Sequence, residues 1–169
     1  MSSCCSSFAG ASSSQFDAGR ARADLARYRK RGPDPTTRML ATGIRDAARH
    51  LPSLLDIGAG IGALAHELVD ATSATATVVE ASEAFLAVAQ QEAERRGNAA
   101  RYTLRHGDFV DIASTVPEAS AVAMDRVICC YPAYAPLLDA ALRHARHLFA
   151  YSYPRNLWYV RLVIALENL

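Results

Sequence analysis

The chain is predicted to fold as an α/β protein on a doubly wound, mostly parallel sheet. Three observations carry this expectation. Short apolar runs alternate with amphipathic segments of helix length, the pattern of consecutive strand–helix–strand units. A glycine-dense turn, Gly58-Ala59-Gly60-Ile61-Gly62, joins one such run to the segment after it, a geometry that brings a ligand close to backbone at a helix N-terminus. Finally, Asp56, Glu80 and Asp108 stand at or just past the ends of three successive runs, where the carboxyl rim of a parallel sheet collects ligand contacts.

Taken in order, residues 1–15 are rich in Ser, Ala and Gly and are expected to be loose. A helix is predicted from Phe16 to Arg31, with Ala18, Ala21, Leu25 and Tyr28 on one face and Gly32-Pro33 as its stop. The basic cluster Arg29-Lys30-Arg31 reads as a solvated helix end that complements the dipole, or as a cap that meets a ligand carboxylate. A second helix is predicted from Asp34-Pro35 to His50, with Met39, Leu40, Ile44 and Ala47 or Ala48 inward. Pro52 ends it, and Leu54-Leu55-Asp56-Ile57 forms the central strand. Beyond the turn, Ile61, Leu64, Ala65, Leu68 and Val69 recur at i, i+3, i+4, i+7 and i+8, which places His66, Glu67 and Asp70 on the opposite side of a helix.

The β-branched run Thr75–Glu80 is the second strand, and Ser82 caps a helix that carries Phe85, Leu86, Val88 and Ala89 and stops at Gly97. Arg101–Arg105 is the third strand, followed by His106-Gly107-Asp108-Phe109. A fourth strand is expected at Asp125–Cys130, broken by Tyr131-Pro132. A helix follows through Leu137, Leu138, Ala141, Leu142 and Ala145, then a fifth strand at Leu148–Tyr153 and a last, apolar helix from Asn156 to Leu169. This divides the chain into a flexible arm and helix, 1–34, and a ligand-binding domain, 35–169.

Composition narrows the classes of partner. With 169 residues, 51% hydrophobic and a net charge of +1, the chain reads as one domain with a full core. Nothing marks it for nucleic acid or another polyanion. No apolar run has the length of a membrane span, and the N-terminus lacks a basic start and apolar stretch, so a cytoplasmic location is expected. The cysteines come as adjacent pairs, Cys4-Cys5 and Cys129-Cys130, which fit neither a disulfide framework nor a C-x-x-C metal site. They are expected to be buried or unbridged thiols, and no metal is expected. If the Cys4-Cys5 arm folded over the sheet's rim, the thiols would suit a soft metal or metalloid.

Two cofactor readings compete for the glycine turn. Gly58, Gly60 and Ala63 satisfy the dinucleotide pattern G-x-G-x-x-[GA], with Glu80 twenty residues beyond Gly60. The same residues form Asp-x-Gly-x-Gly-x-Gly, suited to S-adenosyl-L-methionine (SAM). Charge separates them: a pyrophosphate on the turn would be repelled by Asp56, whereas the ammonium and sulfonium of SAM would be attracted. Glu80 serves either ligand by accepting both ribose hydroxyls.

Together, Asp56-Ile-Gly-Ala-Gly-Ile-Gly62, Val79-Glu80-Ala-Ser82, Gly107-Asp108-Phe109 and Asp125-Arg-Val-Ile-Cys-Cys-Tyr-Pro132 resemble the ordered motifs of class I SAM-dependent methyltransferases over roughly residues 35 to 169. The paired cysteines before Tyr-Pro and the stretch Tyr28–Gly32 are also similar to a bacterial group of methyltransferase-domain proteins. The resemblance implies that Asp56, Gly58, Ala59 and Gly60 contact the methionine part of SAM, that Glu80 holds the ribose, and that Ala81, Asp108 and Phe109 frame the adenine. Cys129 or Cys130, at the end of the expected fourth strand, would border the methyl group. Two departures stand out. The family's last two strands have no counterpart before Leu169, so the C-terminal strand pair is expected to be missing. The residues after the fourth strand are not the Asn/Asp-Pro-Pro-aromatic motif of many base and glutamine methylases. The expected activity is therefore methyl transfer to a small molecule, with no catalytic base identified. The alternatives are an NAD(P)-binding Rossmann protein, or a truncated SAM-binding module whose apolar last helix pairs with a second copy as a homodimer.

Overall fold

The computed structural model describes residues 17–48, 50–129 and 131–153. Five parallel strands form one sheet: β1 (Ser53–Ile57), β2 (Thr75–Glu80), β3 (Tyr102–His106), β4 (Ala119–Met124) and β5 (Ala145–Tyr151). Their order is β3-β2-β1-β4-β5. The chain thus winds outward from β1 in one direction, returns, and winds outward in the other. The reversal falls between β1 and β4, whose register pairs Asp56 with Ala123. The expected parallel sheet is the one observed.

Strand side chains alternate between faces, and two cores follow. Leu54, Ala76, Val78, Ala121 and Ala123 face α2 (Pro35–Ala47) and α3 (Ala63–Ala71). Leu55, Ile57, Val79, Val122 and Met124 face α5 (Phe109–Ile112) and α6 (Tyr134–His144). A third cluster joins α1 (Ala18–Arg31) to α4 (Glu83–Arg95) through Ala21, Leu25, Tyr28, Phe85 and Val88, with Ile61 of the glycine turn between them. Through Ile61, α1 is packed directly on the turn.

The helix starts follow local signals. Asp17 accepts from the Arg20 amide at 2.8 Å, Asp34 from the Thr36 and Thr37 amides at 3.0 Å, and Ser82 from the Phe85 amide at 3.4 Å. Arg29, at the end of α1, meets the buried Glu92 of α4 at 2.8 Å, and Arg95 and Arg96 bind the same carboxylate. The hydrogen bond from Arg95, then those from Arg96 and Arg29, hold the Glu92 carboxyl well below the usual range. Of the basic cluster, Arg29 thus pairs with a carboxylate of the chain's own rather than a ligand's.

Several expectations are corrected. The fourth strand is Ala119–Met124, not Asp125–Cys130, and all six of its residues are buried. A central strand with helices on both faces has room for small side chains, so packing overrides the weak strand propensity of alanine. The fifth strand begins at Ala145, directly after α6, because the His144 ring ties the helix end to the carbonyls of Ala140 and Ala113. Met39 is 70% exposed and Leu142 is also exposed, while Thr37 and Ala41 take the inward positions of α2. His66 is fully buried, because α1 and β3 cover the side of α3 expected to face water. The last predicted helix, 156–169, and Cys4, Cys5 and Cys130 lie outside the described residues.

Candidate functional site

β1 and β2 run side by side, with Asp56 opposite Val78 and Ile57 opposite Val79. After Ile57 the chain turns through Gly58, Gly60 and Gly62, with φ of +63°, +57° and +74°. Side chains rarely adopt such values, which explains the glycines. The amides of Gly58 and Ala59 donate to the Val79 carbonyl at 2.8 and 3.3 Å. A Cβ on Gly58 would lie 2.7 Å from a methyl of Val127. Gly58 is thus required by the loop after β4, which crosses the turn at that point.

His66 steadies the turn from beneath. Its Nε2 donates to the Ile61 carbonyl at 3.1 Å, which leaves Nδ1 to accept from the Tyr102 hydroxyl at 2.9 Å. Burial, then the charge of Arg96, pushes its pKa down to about 4, so the ring is neutral near pH 7. The sequence reading missed this role, and the only signal was a histidine three residues into a helix after a glycine turn.

Glu80 closes the turn from the β2 side. Its Oε2 accepts from the Gly60 amide at 2.8 Å and its Oε1 from the Ser82 amide at 2.9 Å. Burial raises its pKa, and the hydrogen bonds from Ser82, Gly60 and Ala81 oppose that rise. With three amides on its two oxygens, the carboxylate keeps one acceptor site for a ligand hydroxyl. Ala81 is exposed next to it, and its carbonyl meets Nε2 of His106 at 3.0 Å.

Asp56 is 1% exposed beneath the turn. Its Oδ2 accepts from the Ala65 amide at 3.3 Å, while Oδ1 is buried with no hydrogen-bond partner. Burial first, then the charge of Asp125, lifts its pKa to about 8. Asp125 follows β4 on the same sheet face, one pleat closer to the rim. Its oxygens accept from the hydroxyls of Thr37 and Ser152, and the Ser152 oxygen accepts from the Arg126 amide at 2.8 Å. Arg126 has φ of +61° and pairs with Asp34 at 2.7 Å. This knot joins α2, β4 and β5 at the rim. The sequence reading put Asp125 at the start of a strand and gave it no task. The apolar run Ala119–Met124, ending at an acid, was the available signal.

Asp108 caps α5 by accepting from the Val110 amide at 2.9 Å. The Tyr131 hydroxyl reaches both of its oxygens, at 2.9 and 2.8 Å. Phe109 is 3% exposed and packs in the core edge-on to His144, with 5.1 Å between ring centres. Cys129 sits in the turn after β4, half-buried, its thiol donating to the Arg126 carbonyl. Asp56, Gly58, Ala59, Gly60, Glu80, Ala81, Asp108 and Cys129 thus lie at or just past the carboxyl ends of β1 to β4, whereas the Phe109 ring points into the core. Among the described residues no group of three or more His, Cys, Asp or Glu is placed to hold a metal. No helix there is long and apolar enough to cross a membrane.

A profile of the methyltransferase-domain family matches residues 54–150, more than half of the chain. The chain belongs to the SAM-dependent methyltransferase family. Its fold is similar to that of a candidate SAM-dependent methyltransferase from Methanococcus maripaludis, at 17% identity over 90% of this chain and 70% of that one, TM-score 0.69. It is also similar to magnesium protoporphyrin IX methyltransferase from Synechocystis with bound S-adenosyl-L-homocysteine (SAH), at 18% identity over 79% of this chain and 61% of that one, TM-score 0.65. A Geobacter sulfurreducens SAM-dependent methyltransferase in complex with SAH shares 26% identity over 64% of this chain and 44% of that one, TM-score 0.52. The chain therefore spans less than two thirds of the last two proteins. A comparison with curated proteins returns no significant match.

Proposed function

We infer that the chain binds SAM at the rim between β1 and β4 and transfers its methyl group to a small molecule. The observation that carries this reading is the buried, unpartnered Oδ1 of Asp56 beside a second carboxylate, Asp125. Ionising a buried carboxyl without a partner is costly, so Asp56 holds a proton beside Asp125 until a cation offsets the charge. The ammonium of the methionine moiety meets that need, whereas a pyrophosphate would add a third negative centre. The bound SAH of the Synechocystis and Geobacter structures supports the choice of ligand.

SAM, when bound, supplies an electrophilic methyl on a sulfonium. The chain's own residues hold it. Asp56 and Asp125 balance the ammonium, Glu80 accepts from a ribose hydroxyl through its unused lone pair, and Asp108 accepts from the adenine amino group. Glycine at position 60 leaves the backbone open to the methionine chain. Cys129 lines the rim beside them. Among the described residues no side chain at the rim carries the marks of a general base, and acceleration comes from holding two reactants in line and close. A net charge of +1 favours a small acceptor over a polyanion.

Isothermal titration with SAM and NAD tests the cofactor, and tight NAD binding without SAM binding would sink this reading. Incubating cell extract with the protein and isotopically labelled SAM, followed by mass spectrometry, would reveal the acceptor as a species that gains a labelled methyl.

A further inference from the structure

Tyr131 and Asp108 meet where the loop after β4 passes the end of β3. The phenol has one proton and shares it between both carboxylate oxygens, at 2.9 and 2.8 Å. Oδ1 is further occupied by the Val110 amide. A ligand amine seeking this carboxylate therefore meets a donor already in place, in the strong, charge-assisted class of hydrogen bond. Tyr131 rides on the loop from β4 to α6. That loop is knotted at its start through Asp125 and Ser152 and rests on the glycine turn through Val127. One loop thus touches both ends of the cofactor site, the turn at Gly58 and the acid at Asp108.

We propose that Tyr131 is a built-in competitor for the carboxylate of Asp108: its hydroxyl lies across both oxygens, so an adenine amino group binds at its expense and this tyrosine sets cofactor affinity. The proposal rests on the assignment of Asp108 to the adenine amino group made above. The exchange is nearly even in kind, one donor for another on the same acceptor, so net affinity gains little from the new hydrogen bond. The phenol leaves Asp108 as the adenine arrives. A purine with hydrogen in place of the amino group presents no donor there and leaves Tyr131 where it is.

The test is titration of the full chain and its Tyr131→Phe variant with SAH and with its 6-deamino analogue, in which hydrogen replaces the adenine amino group. Removing the competing donor should tighten SAH binding by roughly 3- to 10-fold and leave the 6-deamino analogue unchanged. As a second readout, 3-fluorotyrosine at position 131 of the otherwise native chain should show its 19F signal move toward the solvent value as SAH is added. Unchanged or weaker SAH binding by the variant would overturn the proposal and leave the cofactor reading intact. Equal tightening toward both ligands would also overturn it, since Tyr131 would then be only a wall. If the unaltered chain binds NAD and not SAH, the cofactor reading fails first and takes this proposal with it.

Discussion

Asp125 stands on the same face of the sheet as Asp56, one pleat nearer the rim, and only burial does more to raise the Asp56 pKa to about 8. Because the folded value lies above the ordinary 3.8, the folded chain holds a proton there that the unfolded chain releases. The protein without ligand should therefore lose stability as pH rises from about 4 to about 8. Affinity for SAM should move the other way and grow through the upper part of that window as the carboxylate ionises. Titrations at pH 6 and pH 9 against one stability series would check both signs.

Asp56→Asn should separate the two effects. It removes the buried charge, so the midpoint of thermal unfolding at pH 8 should rise by roughly 2–4 °C, the equivalent of about 1 kcal/mol. SAM affinity should fall at the same time by at least about 10-fold, the loss expected for a charge-assisted contact. A variant that lost both stability and binding would place Asp56 in the fold rather than the site.

Gly58→Ala meets two obstacles, a φ of +63° and a Val127 methyl 2.7 Å from the new Cβ. A loss of about 2–3 kcal/mol is expected in denaturant unfolding. Pairing it with Val127→Ala should relieve the steric share and leave about 1 kcal/mol from the backbone. If the pair is as unstable as the sum of the singles, the loop does not press on the turn.

Glu92→Gln removes the charge that Arg29, Arg95 and Arg96 share. About 2–4 kcal/mol should be lost, and hydrogen exchange should rise first in α1, which Arg29 ties down. The depressed Glu92 carboxyl adds stability above its ordinary pKa of 4.5, and this is lost as pH falls toward its folded value. The variant should lack that acid-side slope.

Much of this was legible in the chain because the signals are local. Thr75–Glu80 is a β-branched run, Ser82 a cap and Gly97 a stop, and each fell where expected. β4 was misplaced because Val127-Ile128-Cys129 has strand propensity and Ala119-Ser120-Ala121 has little; only burial on both faces makes the latter a strand. His66 was placed on the wet side because helical periodicity says nothing of a helix arriving from elsewhere. Asp125 was unreadable for a similar reason, as one of its partners, Thr37, lies 88 residues away. The acids at the rim were visible one by one. Which of them face each other is decided by strand order, which no local window contains.

The small residues of β4 also bear on how the molecule assembles. β1, β2 and β3 are consecutive in the chain and pair in order, but β4 reaches β1 only by closing a long span: Ser53 and Ser120, bonded across the strands, lie 67 residues apart. A strand of alanine and serine has little tendency to extend by itself, and distant pairings form slowly. We expect the β1–β3 half to organise first and β4 to dock afterwards, so substitutions at Ala121 or Ala123 would speed unfolding more than they slow folding. The place where Asp56 meets Asp125 is then the last part of the protein to exist, and a nascent or damaged chain has no pocket until its folding is complete.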